Sequence, residues 1–196
     1  MRVLVSVASK HGSTAEIATA LAAAMRHHGA QVDVCPPHRV DDVDGYDVVV
    51  LGSAVYRGRW LRTAREFAER YASPLRGRAV YLFSSGPVVP GDRPVNTPYD
   101  ACAVAERLDA REHRTFPGKL DPAVLNTGER MVVRMVGAPP GDFRDWDAVG
   151  SWGAHIVAST TAGHEESGRE ESGREESGHE ESEAAGTAPA QQKAGR

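Results

Sequence analysis

Short apolar runs that alternate with helical patterns constrain this 196-residue chain more than any other feature. The run Asp47–Gly52 (DVVVLG) is apolar after its first residue, which is typical of a strand buried on both faces of a sheet. Similar runs occur at Arg2–Ala8 (RVLVSVA) and Ala79–Phe83 (AVYLF). Between these runs, apolar residues recur at helical spacing. The alternation predicts an α/β domain in which helices cover both faces of a parallel sheet.

The pattern predicts the order of the elements as well as their type. The predicted strands are Arg2–Ala8, Gln31–Cys35, Asp47–Gly52, Ala79–Phe83 and Glu112–Phe116. The predicted helices are Thr14–His28, Trp60–Ala72, Tyr99–Ala110 and Asp145–Ala158, the last with Trp146, Val149, Trp152, Ile156 and Val157 facing inward. Five such strands match a doubly wound sheet of order 2-1-3-4-5 in a three-layer α/β/α arrangement. Ligands of such sheets bind beyond the carboxyl ends of the strands, between strands 1 and 3.

The composition changes sharply near residue 163. From Gly163 onward the sequence Glu-Glu-Ser-Gly recurs, and no Leu, Ile, Val, Phe, Trp, Tyr or Met follows residue 162. Such a segment buries too little apolar surface to offset the entropy of ordering it. We therefore expect one globular domain at 1–162 and a disordered low-complexity tail at 163–196, and we expect deletion of the tail to leave the fold of the domain intact.

The charge and the cysteines narrow the class of protein. The net charge is −4 for the whole chain and −5 for residues 163–196 alone. Residues 1–162 therefore carry a net charge of about +1. A near-neutral domain gives no support to nucleic-acid binding, which usually needs a strong basic excess. Cys35 and Cys102 form no Cys-x-x-Cys motif, which favours reduced thiols. Without an evident leader or an 18-residue apolar stretch, we expect a cytoplasmic protein.

The loop after the first predicted strand has the properties of a phosphate site. It joins a strand to a helix N-terminus, where backbone N–H groups and the helix dipole favour an anion. Its residues are Ser9, Lys10, His11, Gly12, Ser13 and Thr14. The chain has no G-x-G-x-x-G dinucleotide motif and no G-x-x-x-x-G-K-[ST] NTPase motif here. A phospho-accepting receiver domain would need carboxylates where Ser9 and Gly52 stand.

The loops after the third and fourth predicted strands are rich in small residues, which let a planar ring approach the backbone. The candidate binding residues of the third-strand loop are Ser53, Ala54, Val55, Tyr56, Arg57 and Gly58. Those of the fourth-strand loop are Ser84, Ser85, Gly86 and Pro87. Tyr56 either stacks on a ligand or packs the next helix, whereas packing is the favoured interpretation for Trp60. Arg57 and Arg59 either attract an anionic substrate or are ordinary surface residues.

Three segments carry a resemblance to a known family. Ser9-x-His11-Gly12-x-Thr14 resembles the flavodoxin phosphate loop, [ST]-x-[TS]-G-x-T, with His11 in place of the usual hydroxyl residue. Together with Val49–Trp60 and Asp142–Trp146 (DFRDW), it is similar to the menaquinone-dependent protoporphyrinogen oxidase branch of that family. The resemblance implies a flavodoxin-like fold, FMN held by the three loops, and transfer of reducing equivalents from protoporphyrinogen IX to a quinone in haem biosynthesis.

One further segment, Asn126–Gly137 (NTGERMVVRMVG), has the pattern of a short basic amphipathic helix. Met131, Val132, Met135 and Val136 share one face, and Arg130 and Arg134 lie four residues apart on another. In the oxidase branch such a segment is expected to hold the porphyrinogen or to contact the membrane surface. The alternative is that its apolar residues cover one edge of the sheet.

Other functions remain open at this point. They are a flavodoxin-type electron carrier without its own substrate, a nicotinamide-dependent FMN or quinone reductase, and a binding protein that has kept the fold without flavin. No Ser-His-Asp or Cys-His arrangement and no metal-ligand spacing is evident, so the sequence indicates no catalytic side chain and no metal.

Overall fold

The computed structural model describes residues 1–86, 99–137 and 139–162. Contacts divide the chain into two compact units, Met1–Val157 and Ala158–Arg196. Of the second unit, the structure describes 158–162, which are helical. The predicted tail at 163–196 and the candidate residue Pro87 lie outside the described residues.

The central sheet has the predicted strand order. Its strands are β1 (Arg2–Ala8), β2 (Gln31–Cys35), β3 (Val48–Tyr56), β5 (Ala79–Gly86) and β6 (Glu112–Pro117), with a two-residue strand β4 (Arg59–Trp60) beside β3. The order β2-β1-β3-β5-β6 is parallel throughout, and β4 pairs with β3 in the antiparallel direction. With β4 set aside, this is the order 2-1-3-4-5, and the flavodoxin-like fold is confirmed. A separate two-stranded sheet joins β7 (Lys119–Leu120) to β8 (Gly141–Asp142).

Helices lie on both faces of the sheet. They are α1 (Ser13–His27), α2 (Arg62–Tyr71), α3 (Tyr99–Leu108) and α5, which covers 146–157 in the first unit. A further helix, α4 (Thr127–Val136), lies between β7 and β8 in the sequence. A 3-10 turn at Pro37–Arg39 follows β2. Neighbouring residues of a strand point to opposite faces, so Val3 and Val5 pack with α1 and α5 while Leu4 packs with α2 and α3. The two resulting cores fix the carboxyl ends of the strands.

Trp152 anchors the core on the α1 and α5 side. Its ring is fully buried and meets Tyr81, Phe83 and Phe116 edge-on, at centroid distances of 6.4, 6.3 and 5.6 Å. The predicted inward position of Trp146 is wrong, because its side chain is 44% exposed. Trp146 begins α5 and stacks instead on the Arg144 guanidinium, 4.5 Å from its ring centre.

β3 and β5 are longer than the sequence pattern predicted. Ser53 pairs with Ser84, and Ala54 with Ser85, so these residues continue the parallel ladder rather than forming loops. Small residues have a low strand propensity, so the sequence pattern did not indicate a strand here. The pairing of β3 with β5 compensates for this low propensity. Trp60 lies in β4 and does not begin a helix.

Gly52 shows why β3 carries a small residue beside β5. A Cβ added there would lie 2.1 Å from the ring of Phe83, which fills the space above this position. The glycine therefore serves the packing of the core and not the flexibility of a loop.

Candidate functional site

One cavity of about 510 Å³ lies at the carboxyl ends of β1, β3 and β5. The volume is in the usual range for small-molecule sites. Most of the candidate residues from all three predicted loops contribute to its wall. They are Ser9, Lys10, His11, Ser13, Thr14, Ala54, Val55, Tyr56, Arg57, Ser85 and Gly86.

Four described candidates do not line this cavity. The Ser53 hydroxyl donates to the Ala54 carbonyl and accepts from the Leu61 N–H, both at 2.9 Å. The Ser84 hydroxyl accepts from Trp60 Nε1 at 2.7 Å and bonds His113 Nε2 at 2.8 Å. Both serines are buried and their hydroxyls bond inside the protein, so their place in the binding site stays a prediction.

The other two are glycines that shape turns. Gly12 (φ 88°) and Gly58 (φ 73°) both lie in the left-handed region. Gly12 sets the entry to α1, and its N–H donates to the Ser9 hydroxyl at 3.1 Å. Gly58 closes the turn between β3 and β4 beside Arg57, which also has a positive φ of 52°. Their role is therefore to shape the backbone around the cavity.

The loop Ser9–Thr14 forms a helix N-terminus that faces the cavity. Gly12 is the N-cap of α1, and no side chain caps this end. Uncapped backbone N–H groups at the start of a helix, together with its dipole, favour an anionic group. Thr14 is almost fully buried in the first turn, while the Ser13 hydroxyl accepts from the Lys119 N–H at 3.1 Å. This end of the cavity fits a phosphate.

Close backbone contacts form another part of the cavity wall. The Gly118 N–H donates to the Gly86 carbonyl at 3.0 Å, and a Cβ added at Gly118 would lie 2.9 Å from that oxygen. Ala54 and Ser85 add small side chains. A wall of backbone and small residues admits a planar ring, with peptide groups available to its polar edge. Gly118 was missed by the sequence pattern because its effect depends on contact with a distant strand.

Tyr56 lies at the cavity wall rather than in the core below α2. Its ring meets His11 edge-on at a centroid distance of 6.2 Å, and Lys10 Nζ lies 5.3 Å from the ring centre. Burial, with a smaller contribution from the negative charge of Glu129, raises the pKa of Tyr56 to about 12. Its phenol therefore stays protonated near neutral pH. Trp60, by contrast, is buried as core packing.

Glu129 is the main residue that the sequence pattern did not identify. Its carboxylate accepts from Lys10 Nζ at 2.7 Å and lies 3.1 Å from His11 Nε2. It also accepts from the Asn126 N–H at 2.9 Å in a capping box that begins α4. These contacts, with the Lys10 hydrogen bond the largest cause, lower the pKa of Glu129 to about 2. The Asn-x-x-Glu pattern indicates the helix start, but nothing local indicates the contact with Lys10 and His11.

The two arginines of the hairpin have different places. Arg57 lines the cavity, as a residue that attracts an anionic substrate would. Arg59 does not line it, and its Nε lies 3.7 Å from an Asp100 carboxylate oxygen. Of these two arginines, Arg57 is therefore the candidate for contact with a substrate.

α4 confirms the predicted amphipathic helix but not the covering of a sheet edge. Met131 and Met135 are 65% and 79% exposed, so they cover little of the protein. Val132 is 38% exposed and also lines the cavity, as does Val124, which is 50% exposed. An apolar surface thus continues from the cavity rim onto α4.

Comparison with known proteins places this arrangement in a family. A family model described as a flavodoxin domain matches residues 4–147. This chain belongs to the flavodoxin domain family. Its cofactor is FMN, and the cavity offers what FMN requires: an uncapped helix N-terminus for the phosphate and a wall of backbone and small residues for the ring.

Solved flavodoxin structures share the fold of this chain. A flavodoxin from the domain Archaea superposes with a TM-score of 0.58 and 16% identity, over 82% of this chain and 99% of that one. A flavodoxin from Streptococcus pneumoniae TIGR4 gives 0.57 and 19%, over 81% of this chain and 99% of that one. At these identities the likeness establishes the fold.

A curated relative is more similar in sequence over a shorter region. Protoporphyrinogen IX dehydrogenase (quinone) of Escherichia coli K12 is 30% identical over 86 residues, which are 43% of this chain and 48% of that protein. The match thus spans about half the length of the relative.

Among the helices in the described ranges, none is both long enough and apolar enough to cross a membrane. Within the same ranges, no group of three or more His, Cys, Asp or Glu side chains is arranged to hold a metal ion.

Proposed function

We propose that this flavodoxin-domain protein is an FMN-dependent oxidoreductase that oxidises protoporphyrinogen IX and reduces a quinone, in haem biosynthesis. The observation that carries the proposal is the apolar rim formed by Val124 and Val132, which joins the flavin cavity to the exposed face of α4. A carrier that meets only other proteins has no need of an apolar entrance for a small molecule. The similarity to the Escherichia coli dehydrogenase supports the same activity.

In this proposal the chain's own residues seat FMN. The Ser9–Thr14 loop holds the phosphate through its backbone N–H groups and the Thr14 hydroxyl. The ring lies between the end of β3, at Ala54–Arg57, and the end of β5, at Ser85 and Gly86. Bound FMN supplies the capacity to accept and release two electrons. We assign no side chain as a strong base, since the Tyr56 phenol remains protonated near neutral pH.

The substrate fits the charges and surfaces around the cavity. A porphyrinogen combines a broad apolar ring system with carboxylate arms. The rim offers Val124 and Val132 to the ring, and Arg57 and Lys119 lie in the cavity wall to attract carboxylates. Each turnover removes two electrons and two protons from the porphyrinogen and converts one quinone to its quinol.

We further propose that α4 contacts the membrane surface, where hydrophobic quinones dissolve. Met131 and Met135 present an exposed apolar face, and Arg130 and Arg134 are exposed on the same helix. A basic amphipathic helix of this kind binds anionic lipid surfaces without spanning the bilayer. The protein would then act at the cytoplasmic face of the membrane.

The test is an anaerobic assay of the full chain loaded with FMN. Protoporphyrinogen IX is added, and porphyrin fluorescence is recorded with and without menaquinone. We expect fast, catalytic porphyrin formation that requires both protein and quinone. Absence of porphyrin formation above the protein-free rate would overturn the proposal. Rapid reduction of the bound flavin by NADH or NADPH instead would favour a nicotinamide-dependent reductase.

A further inference from the structure

Glu129 occupies the cationic part of the candidate phosphate site. Its carboxylate contacts Lys10 Nζ at 2.7 Å and His11 Nε2 at 3.1 Å through each of its oxygens. Lys10 and His11 both belong to the loop that opens α1. A carboxylate therefore already satisfies the two side chains of this loop that are able to donate to an anion through nitrogen.

The contact crosses a long interval in sequence and joins separate elements. Glu129 lies in the first turn of α4, 118 residues beyond His11. Within the described part of the chain, the hydrogen bonds of Glu129 to Lys10 and His11 are the only side-chain hydrogen bonds that join α4 to the loop. The neighbouring Arg130 bonds the Pro122 carbonyl, just ahead of the helix. Loss of the Glu129 contact would thus remove the side-chain hydrogen bonds between α4 and the loop.

A flavin phosphate would compete with this carboxylate. A phosphate monoester carries between one and two negative charges near neutral pH, and like charges beside a shared cation repel each other. For His11 to donate its Nε2 proton to the phosphate, that nitrogen must leave Glu129. The low pKa of Glu129 means that protonation does not relieve this repulsion near neutral pH.

We infer that Glu129 is a latch on Lys10 and His11 that competes with the FMN phosphate and is displaced by it. The latch lowers the affinity for FMN and couples flavin loading to release of α4. This inference rests on the proposed seating of the phosphate against Ser9–Thr14. It gives the substrate-facing helix a means of responding to the presence of the cofactor.

The test compares Glu129→Gln with the wild-type full chain. Glutamine preserves the capping box, because its side-chain oxygen still accepts from the Asn126 N–H, but it removes the charge. Glu69→Gln on the exposed face of α2 removes the same charge outside the cavity and is the matched control. Dissociation constants of FMN and riboflavin are measured by quenching of flavin fluorescence, since riboflavin lacks the phosphate.

We expect Glu129→Gln to tighten FMN binding by about three- to tenfold, the order expected for two unit charges about 4 Å apart that are screened by water. Riboflavin affinity and both affinities of the control should not change. Unchanged or weaker FMN binding by Glu129→Gln would overturn the latch while leaving the phosphate seat in place. A wild-type protein that binds riboflavin as tightly as FMN would overturn the phosphate seat itself.

Hydrogen exchange provides a second readout of the same inference. The backbone amides of 127–136 should exchange faster in the wild-type protein once FMN is bound. In Glu129→Gln they should exchange at the faster rate without flavin. If FMN leaves exchange in this segment unchanged in both proteins, the coupling between flavin loading and α4 is wrong.

Discussion

The two sides of the flavin cavity differ in how they are held. The loop Ser9–Thr14 follows β1, which pairs with a strand on each side, and precedes α1, whose Ile17 and Leu21 are fully buried. Across the cavity, α4 exposes Met131 and Met135 and begins with its own capping box. The core therefore determines the geometry of the loop, whereas α4 depends on local capping and the Glu129 contact.

Because of this difference, we assign cofactor binding to the loop and contact with a substrate or a lipid surface to α4. A phosphate needs backbone N–H groups held in one geometry, and a rigid core provides it. A substrate or a lipid surface needs accessible apolar area, which a peripheral helix provides. We interpret the loop as the part that makes the chain a flavoprotein and α4 as the part that distinguishes its substrate.

The largest expected effect tests whether the core side is indeed the rigid one. Trp152→Ala should lower the free energy of unfolding by about 3–5 kcal/mol, because it leaves a cavity among Tyr81, Phe83 and Phe116. Met135→Ala should change it by less than about 0.5 kcal/mol, as expected for an exposed site. Denaturant titration of both variants measures the comparison. Equal losses would show that α4 is as firmly packed as the core.

The next effect tests the loop as the phosphate site. Thr14→Ala should weaken FMN binding by about 1–2 kcal/mol, or about 5- to 30-fold, through loss of a hydrogen bond to a charged group. Thr19→Ala, farther along α1, removes a hydroxyl that bonds the Ala15 carbonyl and should leave the affinity unchanged. Fluorescence titration gives both values. Unaltered FMN affinity in Thr14→Ala would remove the hydroxyl from the site.

A smaller effect tests α4 as a contact surface. Replacing Met131 and Met135 together with Ser should weaken binding to anionic lipid vesicles by about 1 kcal/mol, or about fivefold, through loss of part of the buried apolar area. Val34→Ser changes an exposed apolar residue on β2 and serves as control. Sedimentation with vesicles measures binding. If the control loses as much affinity as the double variant, the contact is not specific to α4.

The last comparison concerns acid stability at the junction of the two sides. Because the pKa of Glu129 is about 2 in the folded protein against an ordinary value of 4.5, its charge stabilises the fold above about pH 4.5. That contribution is lost as the pH falls toward 2. Glu129→Gln should therefore show a shallower fall of unfolding free energy across this interval than wild type or Glu69→Gln. Identical pH profiles would mean that the ion pairs contribute nothing to stability.

The sequence was sufficient for the strand order, for the loop after β1 and for the amphipathic character of α4, because each depends on local periodicity or a short motif. It was insufficient where a neighbour in space determines the outcome. β3 and β5 extend through small residues because they pair with each other, and this pairing turns the Ser53 and Ser84 hydroxyls to internal partners. Trp146 turned outward because Arg144 offers its ring a surface. Glu129 was missed for the same reason.

The most direct test of the central claim is a titration of the full chain with FMN and with riboflavin. The site described here predicts that FMN binds at least about tenfold more tightly, because only FMN places a charged phosphate at the N-terminus of α1. Equal affinities would contradict the assignment of the Ser9–Thr14 loop as the phosphate site. Failure to bind either flavin would contradict the flavin cavity as a whole.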